Sequence, residues 1–367
     1  MATAHHRHHP PHRAMRDLAR RHGPVMMLHI GEVATVVLSS REAARHRVRD
    51  PAAEPHHKRN HQRWPGHRLR RLRSIAATRS PRAGFNPADL LWPSSRLARW
   101  ISSAERRAEE ARKTVFRTLD DIIKDQIERL ESGAGAGEAE VLLKIQRDGQ
   151  LRIPLHMDVI KGVIFDIFAA GSETAATVFE WVMAELMRNP KAMQRAVAEV
   201  RSVFSACGTI PEHALKYLPL VIRETLRLHP PLPLLVPREA REPCRVLGYD
   251  VLPGAMVVVN VWALGCDERY WPGDPEEFRP ERFEGSEVDF KDADFELLPF
   301  GAGRRICPGV MFGLANVELS LASLLFHFDW EPPNVADPTQ FDMTKAFDVT
   351  MRRKFSLLLE LRHLKRH

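Results

Sequence analysis

The sequence contains little cysteine and no long uninterrupted apolar run. Its four cysteines are widely separated and show no CxxC spacing, so they are too sparse for a disulfide scaffold and favour a reducing compartment. No stretch has the roughly 18 consecutive apolar residues that span a bilayer. The first residues, MATAHHRHHPPH, lack the apolar segment of a signal peptide. The sequence alone therefore predicts neither a disulfide-rich secreted domain nor a membrane anchor.

Acidic residues are also scarce in residues 1–82, which are rich in His and Arg, whereas both signs of charge are mixed beyond residue 84. The net charge of +7 suits an acidic partner, a membrane surface or nucleic acid. Aromatic residues are not interleaved with the basic stretch as a base-stacking surface requires, so nucleic-acid binding is not expected. The histidines lack the spacing of a tetrahedral metal site, so a functional zinc ion is not predicted.

Apolar residues make up 44% of the chain, and their periodicity predicts a mainly α-helical fold with small β-sheets. The segment VMMLHIGEVATVVLSS predicts two strands that turn at Gly31 and Glu32. The stretch 158–187 is apolar on nearly every side, which predicts a helix buried in a large protein. Further helices are predicted at 14–23, 103–130, 191–204, 215–228 and 311–328, and short strands around 244–249 and 256–261.

A cysteine lies in the most specific motif of the chain, PFGAGRRICPG at 299–309. A thiolate directly before an apolar helix is stabilised by the helix N-terminus and by nearby arginines. The glycines leave room for a flat, bulky group, and Phe300 can pack beneath that group. A buried structural cysteine is the alternative. A phosphate-binding glycine loop is disfavoured, because Ile306 occupies the place of the third glycine and no strand–helix nucleotide unit surrounds the motif.

This motif resembles the haem-ligand signature of the cytochrome P450 monooxygenases. The resemblance implies a cytochrome P450 fold, with Cys307 as the axial ligand of a haem b iron. The further cofactor-binding positions that it implies are Phe300, Gly301, Gly303, Arg305, Gly309 and, elsewhere in the chain, Arg238. The two arginines are expected to contact the haem propionates. Thiolate ligation of this kind favours cleavage of the O–O bond.

Glu224 and Arg227 form an ExxR motif, whose two charged members lie on one helix face and can pair. The motif alone is weak evidence, because this spacing arises by chance in many helices and an exposed pair adds little stability. By resemblance to the same family, Arg282 of the PERF motif at 280–283 completes a buried structural network with this pair behind the haem. The expected role of the network is folding rather than catalysis.

Residues 170–174, AGSET, place an acid and a hydroxyl within the predicted buried helix. Burial of such groups without partners is costly, so their presence needs a reason. One reason is a helix kink, with Gly171 weakening the helix and Thr174 bonding back to a carbonyl. The family resemblance instead implies catalysis, with Glu173 and Thr174 passing protons to dioxygen. Ala175 stands where many family members carry a second Thr or Ser.

Longer stretches, including NVWALGCDERYW at 260–271, resemble plant microsomal members of the A-type clan that oxidise terpenoids and other specialised metabolites. The resemblance implies a monomer that inserts one atom of O2 into a small apolar substrate. Electrons would come from an NADPH–cytochrome reductase, since the chain has no dinucleotide fingerprint. The family works at the cytosolic face of the endoplasmic reticulum membrane, although the absence of an anchor leaves a soluble protein as the alternative. The implied substrate pocket comprises Phe165, Ala169, Leu234, Val236 and Phe347.

The resemblance divides the chain into three parts. Residues 1–50 supply an N-terminal helix and hairpin, residues 84–367 form the haem-binding catalytic core, and residues 51–83 are a basic segment without apolar periodicity. That segment replaces a far longer part of the family's fold, between the first strands and the F–G segment. Trp64 and Arg68 have the spacing of a propionate-binding motif, but the Pro-Gly pair between them would break the required helix, so this role is not assigned.

The missing block leaves the activity of the chain open. One wall of the haem pocket would be absent, which would expose apolar surface to water. A truncated, non-catalytic haem-binding remnant is therefore the alternative to an active monooxygenase. A family member of the isomerase type, which skips oxygen activation, is a third possibility that the intact Glu173 and Thr174 pair disfavours. The basic segment also fits a splicing or gene-model artefact.

Overall fold

The computed structural model describes residues 10–49, 104–131, 138–149, 156–209, 211, 213–290, 294–331, 337–347 and 350–363. The chain falls into two compact units, a smaller one of Lys58–Ser172 and a larger one that combines Met1–His57 with Glu173–His367. The predicted basic segment 51–83, with its Trp64 and Arg68, lies outside the described residues. The division of the chain into three parts therefore stays a prediction.

Helices dominate the described residues and the sheets are small, as predicted. The helices are α1 (Pro11–His22), α2 (Arg41–Arg49), α3 (Ala104–Glu131), α4 (Glu138–Asp148), α5 (Met157–Arg188), α6 (Pro190–Cys207), α7 (Tyr217–Leu228), α8 (Val261–Gly265) and α9 (Val310–His327). The strands are β1 (Val25–Ile30), β2 (Val33–Leu38), β3 (Arg238–Glu239), β4 (Cys244–Val246), β5 (Tyr249–Val251), β6 (Met256–Val259), β7 (Phe328–Glu331), β8 (Lys345–Phe347), β9 (Met351–Arg353) and β10 (Glu360–His363). The segment 244–249 is the first strand and the turn of the β4–β5 hairpin rather than a single strand.

Helix boundaries follow local rules at some ends and tertiary contacts at others. Pro190 begins α6, where its missing N–H is not needed, and Gly208 ends the same helix in a left-handed conformation with φ of 70°. The start of α7 has no local cap. Instead, the Glu199 carboxylate of α6 accepts hydrogen bonds from the backbone N–H groups of residues 216–218. Sequence periodicity could find this helix but not its cap.

The main sheet has the strand order β1–β2–β6–β3 and separates two apolar cores. The pairing of β2 with β6 is parallel, whereas the two outer pairings are antiparallel. Because side chains alternate along a strand, Val36 and Val257 pack in the core that contains β4 and β5, whereas Val37 and Val258 pack against Met15 of α1. β3 lies at the sheet edge and carries a predicted propionate contact.

The long helix α5 is buried only over its second half. There Val182, Met183 and Leu186 are at most 2% exposed and pack with α6, α7 and α9 in the largest core of the larger unit. In the first half, Ile167 and Phe168 are 59% and 67% exposed. The prediction of burial along the whole helix is therefore wrong for its first half, whose apolar contacts with α3 and α4 lie on the side of Ile160.

The smaller unit contains α3, α4 and the first part of α5. Its small core is formed by Ile123, Leu143 and Ile160, which are between 0% and 8% exposed. Lys161, the residue after Ile160 in α5, pairs with Asp120 of α3. One short apolar seam and this ion pair hold the three helices together.

Two helices, α5 and α9, have the length and mean hydropathy of membrane-spanning helices. Neither is free of charged residues, so the absence of an uninterrupted apolar run stands, but the sequence criterion was too strict to detect them. Parts of both helices pack within the protein: Met183 of α5 is 2% exposed, and Leu321 and Leu325 of α9 are 0% exposed. Length and composition therefore identify these helices without assigning them to a membrane.

His12 of α1 is a buried, neutral histidine. Its ring is 0% exposed, meets the Trp262 ring edge-on at 4.8 Å, and finds no hydrogen-bond partner for either nitrogen among the described residues. Burial, with the nearby cations of Lys345, Arg13 and Arg16, lowers its pKa to about 3. The folded protein therefore excludes a proton that the unfolded chain binds below about pH 6.5.

We expect His12→Phe to stabilise the protein more at pH 5 than at pH 7.5. The phenyl ring keeps the aromatic contact with Trp262. It also removes the imidazole, whose protonation in the unfolded chain destabilises the folded protein as the pH falls below 6.5. The difference in unfolding free energy between variant and wild type should grow by about 2 kcal/mol between the two pH values. Denaturant unfolding at both pH values measures this difference. Met15→Leu, a buried and uncharged change on the same helix, is the control that should show no such growth, and an equal difference at both pH values for His12→Phe would contradict the prediction.

Candidate functional site

Cys307 lies in a tight loop that ends at the start of α9. The backbone N–H of Cys307 donates to the Phe300 carbonyl at 3.0 Å and closes the loop around a 3₁₀ turn at Gly303–Arg305. Cys307 is exposed, and α9 begins three residues later at Val310. The alternative of a buried structural cysteine is therefore wrong.

Glycines give this loop its shape. Gly301 and Gly303 have φ values of 72° and 69°, which other residues rarely adopt. A Cβ on Gly309 would lie 3.9 Å from the Cys307 sulfur, so a side chain larger than methyl at this position would crowd it. Leu235 also approaches the loop, with its Cδ1 at 3.9 Å from the position of a Cβ on Gly301. The backbone thus requires the first two glycines, and the third keeps the sulfur accessible.

The donor set around Cys307 fits a haem iron better than a bare metal ion. No group of three or more His, Cys, Asp or Glu side chains that could hold a metal ion occurs in the described part of the chain. A metal bound by this single thiolate would need its other ligands from a macrocycle, as haem provides. Phe300, at the start of the loop, packs edge-on against Phe290 at 5.2 Å, which holds the loop to the core.

The two arginines predicted for the propionates lie at different depths. Arg238 of β3 is half-buried and its Nη2 donates to the Ala302 carbonyl at 3.4 Å, so it is held beside the cysteine loop. Arg305 is exposed in the 3₁₀ turn of that loop. The structure therefore brings both cations to the cysteine loop, and their contacts with propionates stay a prediction.

Glu224, Arg227 and Arg282 form a buried cluster. Arg227 donates two hydrogen bonds to the Glu224 carboxylate, from Nε to Oε2 at 2.7 Å and from Nη2 to Oε1 at 2.8 Å. Arg282 Nε donates to the same Oε1 at 2.9 Å, and so does the backbone N–H of Arg279, also at 2.9 Å. The three side chains are between 0% and 5% exposed, and burial lowers the pKa of Arg282.

Backbone carbonyls complete this cluster. Arg227 Nη1 donates to the carbonyls of Gly265 and Pro275, and Nη2 also donates to that of Glu277. All five donors of the guanidinium thus have partners, which is the condition under which a buried charge is tolerated. The cluster ties α7 to α8 and to the loop before the PERF turn. This geometry suits the predicted structural role.

The predicted proton-transfer residues lie where α5 enters the larger unit, and the helix continues through them without interruption. The Glu173 carboxylate is half-buried and its Oε1 accepts a hydrogen bond from Thr350 Oγ1 at 3.0 Å. Thr177 Oγ1 donates to the Glu173 backbone carbonyl at 2.8 Å. The Thr174 side chain is half-buried next to this acid. An acid and a hydroxyl are therefore adjacent and neither is exposed fully to solvent.

The predicted pocket residues are distributed over both units. Phe165 and Ala169 lie half-buried on α5 in the smaller unit. In the larger unit, Leu234 is half-buried and Val236 is 63% exposed. Phe347 is the last residue of β8. Their common membership of one pocket stays a prediction.

Sequence reasoning missed a buried acid on α5. Glu185 Oε1 lies 2.6 Å from His229 Nε2, and the His229 ring stacks on Trp181 with a centroid distance of 4.1 Å. Burial raises the pKa of Glu185 to about 7 and lowers that of His229 well below its usual range, so burial favours the uncharged form of both groups. The sequence signal for this pair was His229, directly before the proline-rich residues 230–233, because this histidine has no partner nearby in the sequence.

Comparison with known proteins gives the same assignment over most of the chain. The family model described as Cytochrome P450 matches residues 82–358. Desmethyl-deoxy-podophyllotoxin synthase of Sinopodophyllum hexandrum is 48% identical over 285 residues, which cover 75% of this chain and 56% of that protein. Ent-isokaurene C2/C3-hydroxylase of Oryza sativa subsp. japonica is 47% identical over 304 residues, which cover 79% of this chain and 59% of that protein.

A solved structure shares the fold. A zebrafish cytochrome P450 determined with progesterone superposes with a TM-score of 0.71 over 96% of this chain and 100% of that chain, at 22% sequence identity. The predicted fold is thereby confirmed. The chain spans little more than half the length of the two plant relatives.

Proposed function

Because the chain belongs to the cytochrome P450 family, we propose that it is a haem-thiolate monooxygenase. It inserts one atom of O2 into a small apolar molecule, and the other atom leaves as water. The observation that carries this proposal is the exposed Cys307 at the start of α9, in a loop that two left-handed glycines bend around it. Residues 84–367 form the haem-binding core in this proposal.

Haem b is the cofactor of the family and supplies the iron at which O2 is activated. The protein's own groups hold it. Cys307, at the start of α9, would supply the sulfur ligand of the haem iron. Arg238, fixed by the Ala302 carbonyl, and Arg305 bind the propionate carboxylates as charge-assisted hydrogen-bond donors.

Glu173 and Thr174 deliver protons during O2 reduction. The Glu173 carboxylate is half-buried, so it can exchange protons with water while one of its oxygens stays fixed by Thr350. Thr174 Oγ1 donates the proton at the reacting oxygen and recovers it from the acid beside it.

The substrate is a terpenoid or another specialised metabolite. The apolar pocket positions Phe165, Ala169, Leu234, Val236 and Phe347 support an apolar substrate, and a relative at 47% identity is named as a hydroxylase of ent-isokaurene. An NADPH–cytochrome reductase supplies electrons, docking on the basic surface around the exposed Arg304. The chain acts as a monomer at the cytosolic face of the endoplasmic reticulum membrane.

Reconstitution of the full chain with haem tests this function. The purified protein is titrated with haem and reduced, and its difference spectrum with carbon monoxide is recorded. A red-shifted Soret band of thiolate-ligated haem at one haem per chain is the expected result. If haem binds without that band, or does not bind, the chain is a non-catalytic remnant and the proposal is wrong. NADPH oxidation with added reductase then separates an active enzyme from a haem-binding remnant.

A further inference from the structure

We propose that Thr350 is a positioning residue that holds the Glu173 carboxylate in place for proton transfer, an inference that rests on the proposed monooxygenase function. The two residues are 177 positions apart in the chain, and Thr350 Oγ1 donates to Glu173 Oε1 at 3.0 Å. Thr350 is 3% exposed, whereas Glu173 is half-buried. A flexible acid at the edge of solvent is therefore restrained by a hydroxyl that solvent does not reach.

The rigidity of Thr350 comes from its neighbour in the chain. Met351 is 2% exposed, its backbone N–H donates to the Pro231 carbonyl at 2.8 Å, and its carbonyl accepts from Trp181 Nε1 at 2.8 Å. Both backbone groups of Met351 are thus bonded to elements that are distant in sequence. These bonds fix the backbone directly after Thr350 and so limit the movement of Thr350.

The same segment binds α5 at two points. Trp181 lies eight residues after Glu173, so the two side chains leave the helix about 12 Å apart along its axis and about 80° apart around it. Trp181 bonds to Met351 and Glu173 bonds to Thr350, so the segment spans about two turns of the helix. The stacked His229 ring further fixes Trp181. The Glu173 carboxylate is thereby connected to the proline-rich turn through Thr350 and Met351, both of which are buried.

Two nearby hydroxyls on α5 donate to backbone carbonyls instead. Ser172 Oγ donates to the Phe168 carbonyl, and Thr177 Oγ1 donates to the backbone carbonyl of Glu173. Both hydroxyls bond back to the helix, as Ser and Thr commonly do. The hydroxyl that donates to the carboxylate itself is that of Thr350.

A double-mutant cycle tests the contact without requiring activity. Thr350→Val removes the hydroxyl at nearly constant shape, and Glu173→Ala removes its acceptor. We expect Thr350→Val to lower the melting temperature by about 2 to 5 °C in the wild-type background, because a charge-assisted hydrogen bond is lost. In the Glu173→Ala background the same change should have little effect. Additive effects of the two changes would overturn the proposal. Thr350→Ala replaces the valine variant in the cycle if that variant does not accumulate as folded protein.

A second measurement distinguishes positioning from a structural role. Each variant is reconstituted with haem and supplied with NADPH and reductase, and the hydrogen peroxide released per NADPH is measured. Thr350→Val should raise this fraction roughly threefold to tenfold, since protons no longer reach oxygen efficiently. Thr350→Ser keeps the hydroxyl and should restore the wild-type fraction. An unchanged fraction in Thr350→Val, with the coupling present, would make Thr350 a structural contact only.

The two failures can be told apart. A wild-type protein without the thiolate Soret band overturns the proposed function, and the positioning role with it, whatever the cycle shows. A wild-type protein with that band and no coupling between the two residues overturns only the role of Thr350.

Discussion

Cys307→Ser is expected to abolish the carbon monoxide band of thiolate-ligated haem and the reductase-dependent consumption of NADPH. Serine has nearly the same shape, but its hydroxyl does not ionise at neutral pH and its oxygen is a poor donor for haem iron. Because Cys307 is exposed, the unfolding free energy of the haem-free protein should change by no more than about 0.5 kcal/mol. Loss of the spectrum in a protein of unchanged stability therefore assigns the ligand.

Cys207→Ser is the matched control for this change. Cys207 is also exposed, at the end of α6, and should leave the spectrum unchanged. The two other cysteines are buried, and burial raises the pKa of Cys266 to about 11, so that this sulfur stays a thiol. A thiolate band that persists in Cys307→Ser would show that another cysteine binds the iron and would refute the assignment.

Gly265→Ala is expected to destabilise the protein by at least about 3 kcal/mol, or to prevent its folding. A Cβ at this position would lie 2.6 Å from the Arg227 carbonyl oxygen and 3.3 Å from Arg227 Cγ. The first clash is with backbone in the last turn of α7, which cannot rotate away as a side chain can. The Gly265 carbonyl also accepts from the Arg227 guanidinium, so relief of the clash would break a buried charge network.

The measurement is equilibrium unfolding in denaturant, with circular dichroism and intrinsic fluorescence recorded together. Gly162→Ala, in the interior of α5, is the control, because no atom lies within 4 Å of its new Cβ. This helical change should be neutral or stabilise by up to about 1 kcal/mol. A Gly265→Ala protein with the unfolding midpoint of the wild type would show that α7 and α8 do not approach so closely in solution.

The cysteine loop could be predicted from the sequence because its determinants are local. Glycines, a proline and an apolar helix follow one another within eleven residues, and each restricts the backbone through its own conformational preferences. The structure places the thiol at the helix start, as the motif indicated. The ExxR pair was also accessible, since residues three apart share a helix face.

Other parts of the site depend on contacts between distant segments. The bond from Thr350 to Glu173 joins residues 177 apart, and the close approach of Gly265 to Arg227 joins residues 38 apart. A threonine or a glycine in isolation carries no signal for either contact, because the same residue type is common in loops and helices. The burial of α5 was mispredicted for a related reason. Apolar composition does not determine how many neighbouring segments will cover a helix.

The sequence by itself determined the helical fold class, the approximate positions of the longer helices and the cysteine loop, because periodicity and backbone restrictions act over a few residues, whereas α2, α4 and α8 were not predicted. Only the tertiary structure decided which half of α5 is buried, which carbonyls surround Arg227, and which hydroxyl holds Glu173. These features arise when segments far apart in the chain pack together, and the free energy of such packing belongs to pairs of surfaces rather than to any single stretch of residues.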